Sequence, residues 1–147
     1  MAIHGFFGKY RWLSNFWACT LNLSFEGVAL YFNCVEEAYH ACKSKDVEVR
    51  RMFCGVGPCE AKHMGRQVQL RDDWNEVRLD LMYFLVKQKF KQNPSLWEQL
   101  DMTDSQYLEE SNTWNDRFWG VCNNIGQNQL GKILFGHRQI QHRALCK

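Results

Sequence analysis

The period of the apolar residues changes at Asn33. Before it, Leu21, Leu23 and Phe25 recur at every second position, and so do Val28, Leu30 and Phe32. Glu26-Gly27 stands between the two runs. Period two on both sides of a two-residue step that ends in Gly predicts a β-hairpin. After Asn33 the apolar spacing becomes mainly helical. The fold class expected is therefore mainly α (α+β): a compact multihelical domain with a small N-terminal β-hairpin. At 147 residues the chain matches the size of one domain, so residues 1–147 are read as a single unit.

The helical part divides at its own punctuation. Asn33 is placed to cap a helix over about residues 35–44. Asp46 is placed to cap a short one that ends at Gly55, and Pro58 opens another that stops near Gly65. Asp72 or Asp73 caps the longest helix, residues 74–92, whose predicted inner face is Trp74, Val77, Leu81, Leu85 and Gln88. Asn93-Pro94 ends it, and residues 95–100 make a short helix. Residues 107–110 read as a short strand and residues 111–127 as a long ordered loop. Asn128 is placed to cap a last helix with Leu130, Ile133, Leu134 and His137 on its buried stripe.

Composition narrows the function classes. Apolar types make up 46% and charged types 23% of the chain, a globular balance. The net charge of +2 argues against a general polyanion-binding surface and leaves room for a local basic pocket. Seven cysteines are too odd a number for a complete internal disulfide set. Met1 to Trp12 has no apolar run followed by a small-residue cleavage site, so no secretory leader is expected. Reduced thiols in the cytoplasm, and no membrane partner, are the expectation. Cys54, Cys59 and His63 form the nearest metal-like group, but without a CxxC pair they read as small residues near a turn, and no metal is expected. Aromatic side chains reach 14%, more than a core this small obviously needs.

Residues 35–43 carry the most chemistry. At 3.6 residues per turn, Val35, Ala38 and Cys42 share one side and can face a core. Glu36, Tyr39, His40 and Lys43 share another, with Glu36 and Lys43 almost aligned two turns apart. One reading is a solvated face with a weak Glu–Lys relationship. The other is a lysine nucleophile beside a carboxylate acid/base, which requires burial or a nearby cation to keep the amine neutral. Spacing decides neither.

Several motifs, in order, resemble the NADAR, or YbiA-like, family. Phe7 to Phe16 contains Leu13-Ser14-Asn15-Phe16, similar to the family's opening. Val35-Glu36-Glu37-Ala38-Tyr39-His40-Ala41-Cys42-Lys43 resembles its Glu-His-x-Tyr-Gln-Ala-x-Lys helix. Ala61 to Arg66, then Leu70 to Trp74, resembles its Ala-Lys-x-x-Gly-Arg and Arg-x-Asp-Trp pair. Lys89-Phe90 with Gln92-Asn93 matches the end of its long helix. Asp116 to Gly120 and Gly126 to Gly131 resemble its closing Asp-x-x-Trp-Gly and Gly-x-Asn-x-Leu-Gly. The chain departs in having Glu37 where the family often has His, and His40 where it often has Gln.

The resemblance implies an N-glycosidase that cleaves a ribose C1–nitrogen bond without a cofactor. The implied substrates are nucleotide-like: ADP-ribosylated guanine, free or carried in nucleic acid, or a phosphoribosylamino-pyrimidine. Lys43 would form a Schiff base with C1, and Glu36 would shuttle protons. Ser14, Asn15, Tyr39, Trp74, Arg66, Asp116, Trp119, Gly120 and Asn128 would bind substrate. The competing class is a module that binds ADP-ribose or NAD without chemistry. Several of these residues also have structural readings. Trp74 and Trp119 can be core anchors. Arg66 and Arg71 can pair with Asp72, Asp73 or Glu76. Asn128 can be a helix cap. Phe25, Phe32, Phe84 and Trp97 are expected in the core, and Phe7, Phe16, Tyr39, Trp74 and Trp119 along a nucleotide pocket. That pocket is expected between the 35–43 helix, the N-terminal loop and the 111–128 loop.

Overall fold

The computed structural model describes residues 1–145, the side chain of Leu145 excepted. In order, the chain forms β1 (Ala2–His4), a 3-10 helix (Gly8–Leu13), β2 (Leu21–Phe25), β3 (Val28–Phe32), α1 (Val35–Ala41), α2 (Val47–Arg51), α3 (Pro58–Gly65), α4 (Trp74–Gln92), α5 (Pro94–Met102), β4 (Tyr107–Glu109) and α6 (Gln129–Leu145). This is the expected α+β class with few, short strands. Among the described residues no helix is long and apolar enough to cross a membrane. The chain divides into two units: Asn15–Asn93, and Met1–Ser14 with Pro94–Lys147.

In the unit Asn15–Asn93, β2 and β3 pair antiparallel with Phe25 opposite Val28, the two-residue hairpin that the alternation predicts. Glu26 and Gly27 both take positive φ, 52° and 80°, which matches the twist of a hairpin turn. Leu21, Leu23, Leu30 and Phe32 face inward and are buried. Cys34 replaces Asn33 as the residue before α1, and no side chain caps that helix. A carboxylate from inside the helix instead reaches out to backbone beyond it. Glu37, 1% exposed, accepts the backbone N–H groups of Asn33 (2.8 Å), Gly55 (3.2 Å) and Gly57 (2.9 Å). That ties the loop between α2 and α3 to the start of α1.

Asp46 caps α2 by accepting from Glu48 N–H at 2.9 Å, as expected. The helix closes at Arg51, earlier than the predicted Gly55. Asp73 precedes α4, but its carboxylate makes no cap bond. It is held by Arg71 instead, at 2.6 and 3.0 Å. The buried face of α4 is Trp74, Met82, Leu85, Val86, Lys89 and Phe90. Val77, Leu81 and Gln88 from the predicted face are only half-buried. Phe84, expected in the core, is 43% exposed because it lies off that face. Phe25 is half-buried, and Phe32 is in the core as expected.

In the other unit, β1 pairs parallel with β4, Ile3 opposite Leu108. The pattern gave no sign of β1, because three residues pairing with a strand about a hundred positions away leave no local period. The predicted inner stripe of α6 is observed: Leu130, Ile133, Leu134 and His137 are buried. Arg138 joins them, donating to Thr103 Oγ1 (2.6 Å) and to the Gln106 carbonyl (2.8 Å). Leu96 and Leu100 are buried on α5, and Trp97 is half-buried.

The Glu37 clamp is directly testable. Replacing Glu37 with Ala removes the acceptor of three part-buried backbone N–H groups, and a net hydrogen bond contributes about 0.5–1.5 kcal/mol. Glu37→Ala should lose about 1–3 kcal/mol, read as a lower denaturant midpoint. An unchanged midpoint would show that the three bonds are replaceable.

Candidate active site

Helix α1 supplies the site of the Asn15–Asn93 unit. Its first turn is fixed from outside the helix, since Glu36 N–H donates to the Asn15 carbonyl at 3.1 Å. The helix ends sooner than predicted. At Lys43 and Ser44 the backbone tightens to i→i+3 bonds on His40 and Ala41, so Lys43 sits in the closing turn. Val35, Ala38 and Cys42 are fully buried, as their spacing predicts.

The opposite stripe is not a solvated face. Tyr39 is 8% and His40 6% exposed. Glu36 Oε1 lies 2.9 Å from His40 Nε2, one turn along the helix. The Tyr39 ring meets the His40 ring at 5.2 Å, edge to face, and the Trp74 ring at 5.2 Å, tilted. Lys43 Nζ stands 5.9 Å from the Tyr39 ring centroid and donates to the Gly65 carbonyl at 3.0 Å. Gly65 is required there: a Cβ would come within 2.1 Å of His40 Nδ1. The Gly of the Gly-Arg motif therefore serves two residues of α1 at once.

The surroundings act on the lysine. Burial pushes the Lys43 amine below its ordinary value, and the charge of Arg66 pushes the same way, against the pull of Glu36. Desolvation disfavours the ammonium, so more of the amine is neutral and nucleophilic. Burial acts oppositely on the neighbouring thiol, raising Cys42 to about 11 and leaving it a poor nucleophile.

The two arginines divide. Arg71 forks onto Asp73, and its backbone N–H donates to the Lys43 carbonyl at 2.8 Å. The structural reading of Arg71 is the one observed. Arg66 is exposed and has no carboxylate partner among the described residues, which leaves its forked donors open to an anion. Asn15 is half-buried, with Nδ2 at 3.5 Å from Met82 Sδ. Trp74 is 6% exposed and packs on Tyr39 as a core anchor does. Phe16 is 40% exposed.

The remaining sequence-predicted residues belong to the other unit. Ser14 closes the 3-10 helix, its N–H donating to Arg11. Asp116 Oδ1 accepts from Phe118 and Trp119 N–H at 3.1 and 2.9 Å, ordering that loop. The Trp119 ring meets Phe118 edge to face at 4.7 Å. Gly120 is buried where a Cβ would collide with the Glu110 carbonyl. Asn128 does not cap α6. Its Oδ1 accepts from Glu110 N–H, and its Nδ2 donates to the Leu108 carbonyl and Tyr107 Oη. The carboxamide is consumed in fastening the region of β4 to the start of α6, and Gly131 makes room for the Leu108 carbonyl beside it. The Gly-x-Asn-x-Leu-Gly run thus builds the fold. Phe7, expected along a pocket, is 67% exposed.

Sequence reasoning missed Glu37 and Gly65 as parts of this arrangement. Gly65 acts on His40 and Lys43, and Glu37 on Gly55 and Gly57 besides nearby Asn33, so most of their partners are distant in sequence and no spacing rule marks them.

The comparisons agree with the motifs. A family model described as the NADAR domain matches residues 5–140. An N-glycosidase of Nostoc punctiforme is 35% identical over 133 residues, covering 84% of this chain and 85% of that protein. A riboflavin biosynthesis protein of Vibrio vulnificus is 32% identical over 146 residues, covering 96% of this chain, which spans only 37% of that longer protein. The NMR structure of the E. coli protein YbiA superposes with a TM-score of 0.84 at 26% identity, over 100% of this chain and 87% of that one. Fold and site together define a small YbiA-like α+β protein, grouped with proteins named N-glycosidases. The chain belongs to the NADAR domain family.

The Arg71–Asp73 pair has a pH signature. Arg71 holds the Asp73 carboxyl down at about 2 against an ordinary 3.8. A depressed folded value contributes stability that is present above the unfolded value and lost as pH falls through the folded one. Between about pH 4 and pH 2 the wild type should therefore lose more stability than Asp73→Asn, measured by thermal melting. Parallel curves would refute the linkage.

Proposed function

We propose that this protein is an N-glycosidase that breaks a ribose C1–nitrogen bond through a covalent imine on Lys43. The carrying observation is the Lys43 amine, held below its ordinary pKa by burial and opposed by the Glu36 charge. The names of the Nostoc and YbiA relatives support the reaction class. The Vibrio relative's name supports a nucleotide-like substrate, and the motifs add ADP-ribosylated guanine beside a phosphoribosylamino-pyrimidine.

The chemistry balances as follows. Neutral Nζ attacks C1, the C1–N bond breaks, and its electron pair leaves with the base nitrogen. Glu36 accepts the proton that Nζ sheds and returns it to the leaving nitrogen. The C1–ring-oxygen bond then breaks as C1=Nζ forms, and Glu36 carries the second Nζ proton to the ring oxygen. Water adds to C1, releasing the sugar and restoring the amine. A covalent intermediate splits one hard displacement into two easier ones. Arg66 would meet a substrate phosphate with its forked donors. Asn15 and Tyr39 would border the sugar, and Trp74 would support Tyr39 from behind. Ser14, Asp116, Trp119 and Gly120 keep the substrate-binding role that the motif resemblance implies, and that role rests on sequence alone. Asn128 is left to the fold.

The test uses ADP-ribosyl-guanosine and a phosphoribosylamino-pyrimidine, with products read by mass spectrometry. Lys43→Ala should abolish both base release and borohydride trapping of sugar on the protein, and full activity in that variant would sink the imine. Glu36→Gln should lower kcat by about 10²–10⁴-fold. Tight binding of ADP-ribose with no product from either substrate would favour the non-catalytic reading. Because the Lys43 value is lowered, trapping should rise with pH and level off below the ordinary lysine range. A rise continuing to the ordinary lysine value would show that burial does not act on the nucleophile.

A further inference from the structure

His40 stands where the family resemblance leads one to expect Gln, and it is neither a surface residue nor a plain core filler. Its side chain is 7% exposed and that of Glu36 12%. The 2.9 Å contact between Nε2 and Oε1 is therefore largely shielded from water, where a hydrogen bond is stronger and geometrically stricter.

The other ring nitrogen settles which way that bond runs. Nδ1 is buried and has no hydrogen-bond partner. It faces Gly65 so closely that a Cβ on that residue would lie 2.1 Å away, so backbone fills the place an acceptor would need. A proton on Nδ1 would be a buried N–H with no acceptor, which carries the full desolvation penalty of the donor. A bare acceptor nitrogen is the cheaper orphan. The ring proton accordingly belongs on Nε2, and the imidazole donates to Glu36 Oε1. The ring cannot easily turn away, because Tyr39 meets it edge to face at 5.2 Å on one side and Gly65 lies on another.

This leaves Glu36 with two unlike oxygens. Oε1 is committed to His40, while Oε2 carries no hydrogen bond among the described residues. Gly65 fastens the same arrangement from the nucleophile's end, since its carbonyl accepts from Lys43 Nζ.

We propose that His40 is a positioning residue for Glu36: as the Nε2–H tautomer it donates to Oε1 and fixes the carboxylate so that Oε2 makes the proton transfers. The proposal rests on the reading of Glu36 as the proton shuttle. It also makes sense of the departure from the family pattern. The position must supply one N–H donor one turn after the glutamate, and an imidazole Nε2–H or a glutamine amide can each do so.

Two measurements test it. The first needs no substrate. A long-range 1H–15N spectrum of the wild-type protein near neutral pH should show His40 with a protonated Nε2 and an unprotonated Nδ1. In Glu36→Ala the Nε2–H proton should lose its hydrogen-bonded downfield shift and exchange faster with solvent. A protonated Nδ1 in the wild type, or a His40 signal indifferent to Glu36→Ala, overturns the proposal. The second is kinetic, with ADP-ribosyl-guanosine and a phosphoribosylamino-pyrimidine as probes. His40→Ala should lower kcat by about 10-fold to 100-fold, as loss of alignment does, with little change in KM. His40→Gln should recover most of it. Wild-type kcat in His40→Ala, or His40→Gln as impaired as His40→Ala while melting like the wild type, overturns it. Lys43→Ala separates the two levels of the argument. If that variant still turns over, the imine reading fails whatever His40 does. If it is dead while His40→Ala is fully active, only the role of His40 fails.

Discussion

Helix α1 is buried on nearly every side, and the polar groups it carries inward must each find a partner. Burying a polar group without one costs free energy, and burying a charge costs more. Every feature of the site follows from how these groups are satisfied. Glu37 gathers three backbone N–H groups and thereby shapes the approach to α3. Glu36 and His40 satisfy each other. Lys43 reaches the Gly65 carbonyl and answers its remaining desolvation by a lowered pKa. A helix that packed one face and wetted the other would leave the same lysine an ordinary ammonium.

That constraint also separates residues that look alike in sequence. Arg66 and Arg71 both follow motif positions, yet Arg71 is consumed by Asp73 and by holding the Lys43 backbone, whereas Arg66 stays exposed. Glu36 and Glu37 are adjacent, yet among the described residues one carboxylate keeps an oxygen without a hydrogen bond and the other is committed to the backbone. In the other unit, Asn128 and Gly131 build the start of α6. The high aromatic content divides similarly. Phe32 is a core residue, Tyr39 and Trp74 are buried where α1 meets α4, and Phe7 and Phe84 remain exposed.

Much of the backbone was legible in the residue order. The hairpin register, the bounds of α3 and α4 and the inner stripe of α6 all follow from period, Gly and Pro, because those signals act between near neighbours. The stripe of Glu36, Tyr39, His40 and Lys43 was legible as well, and the ordered motifs placed the chain in its family. What local order could not say was whether that stripe met water or protein. Periodicity records which residues share a side, not what covers it. The covering comes from α3 and α4, whose residues lie tens of positions away, and only their packing desolvates the Lys43 amine, sets Gly65 against His40 and gives two adjacent glutamates different partners.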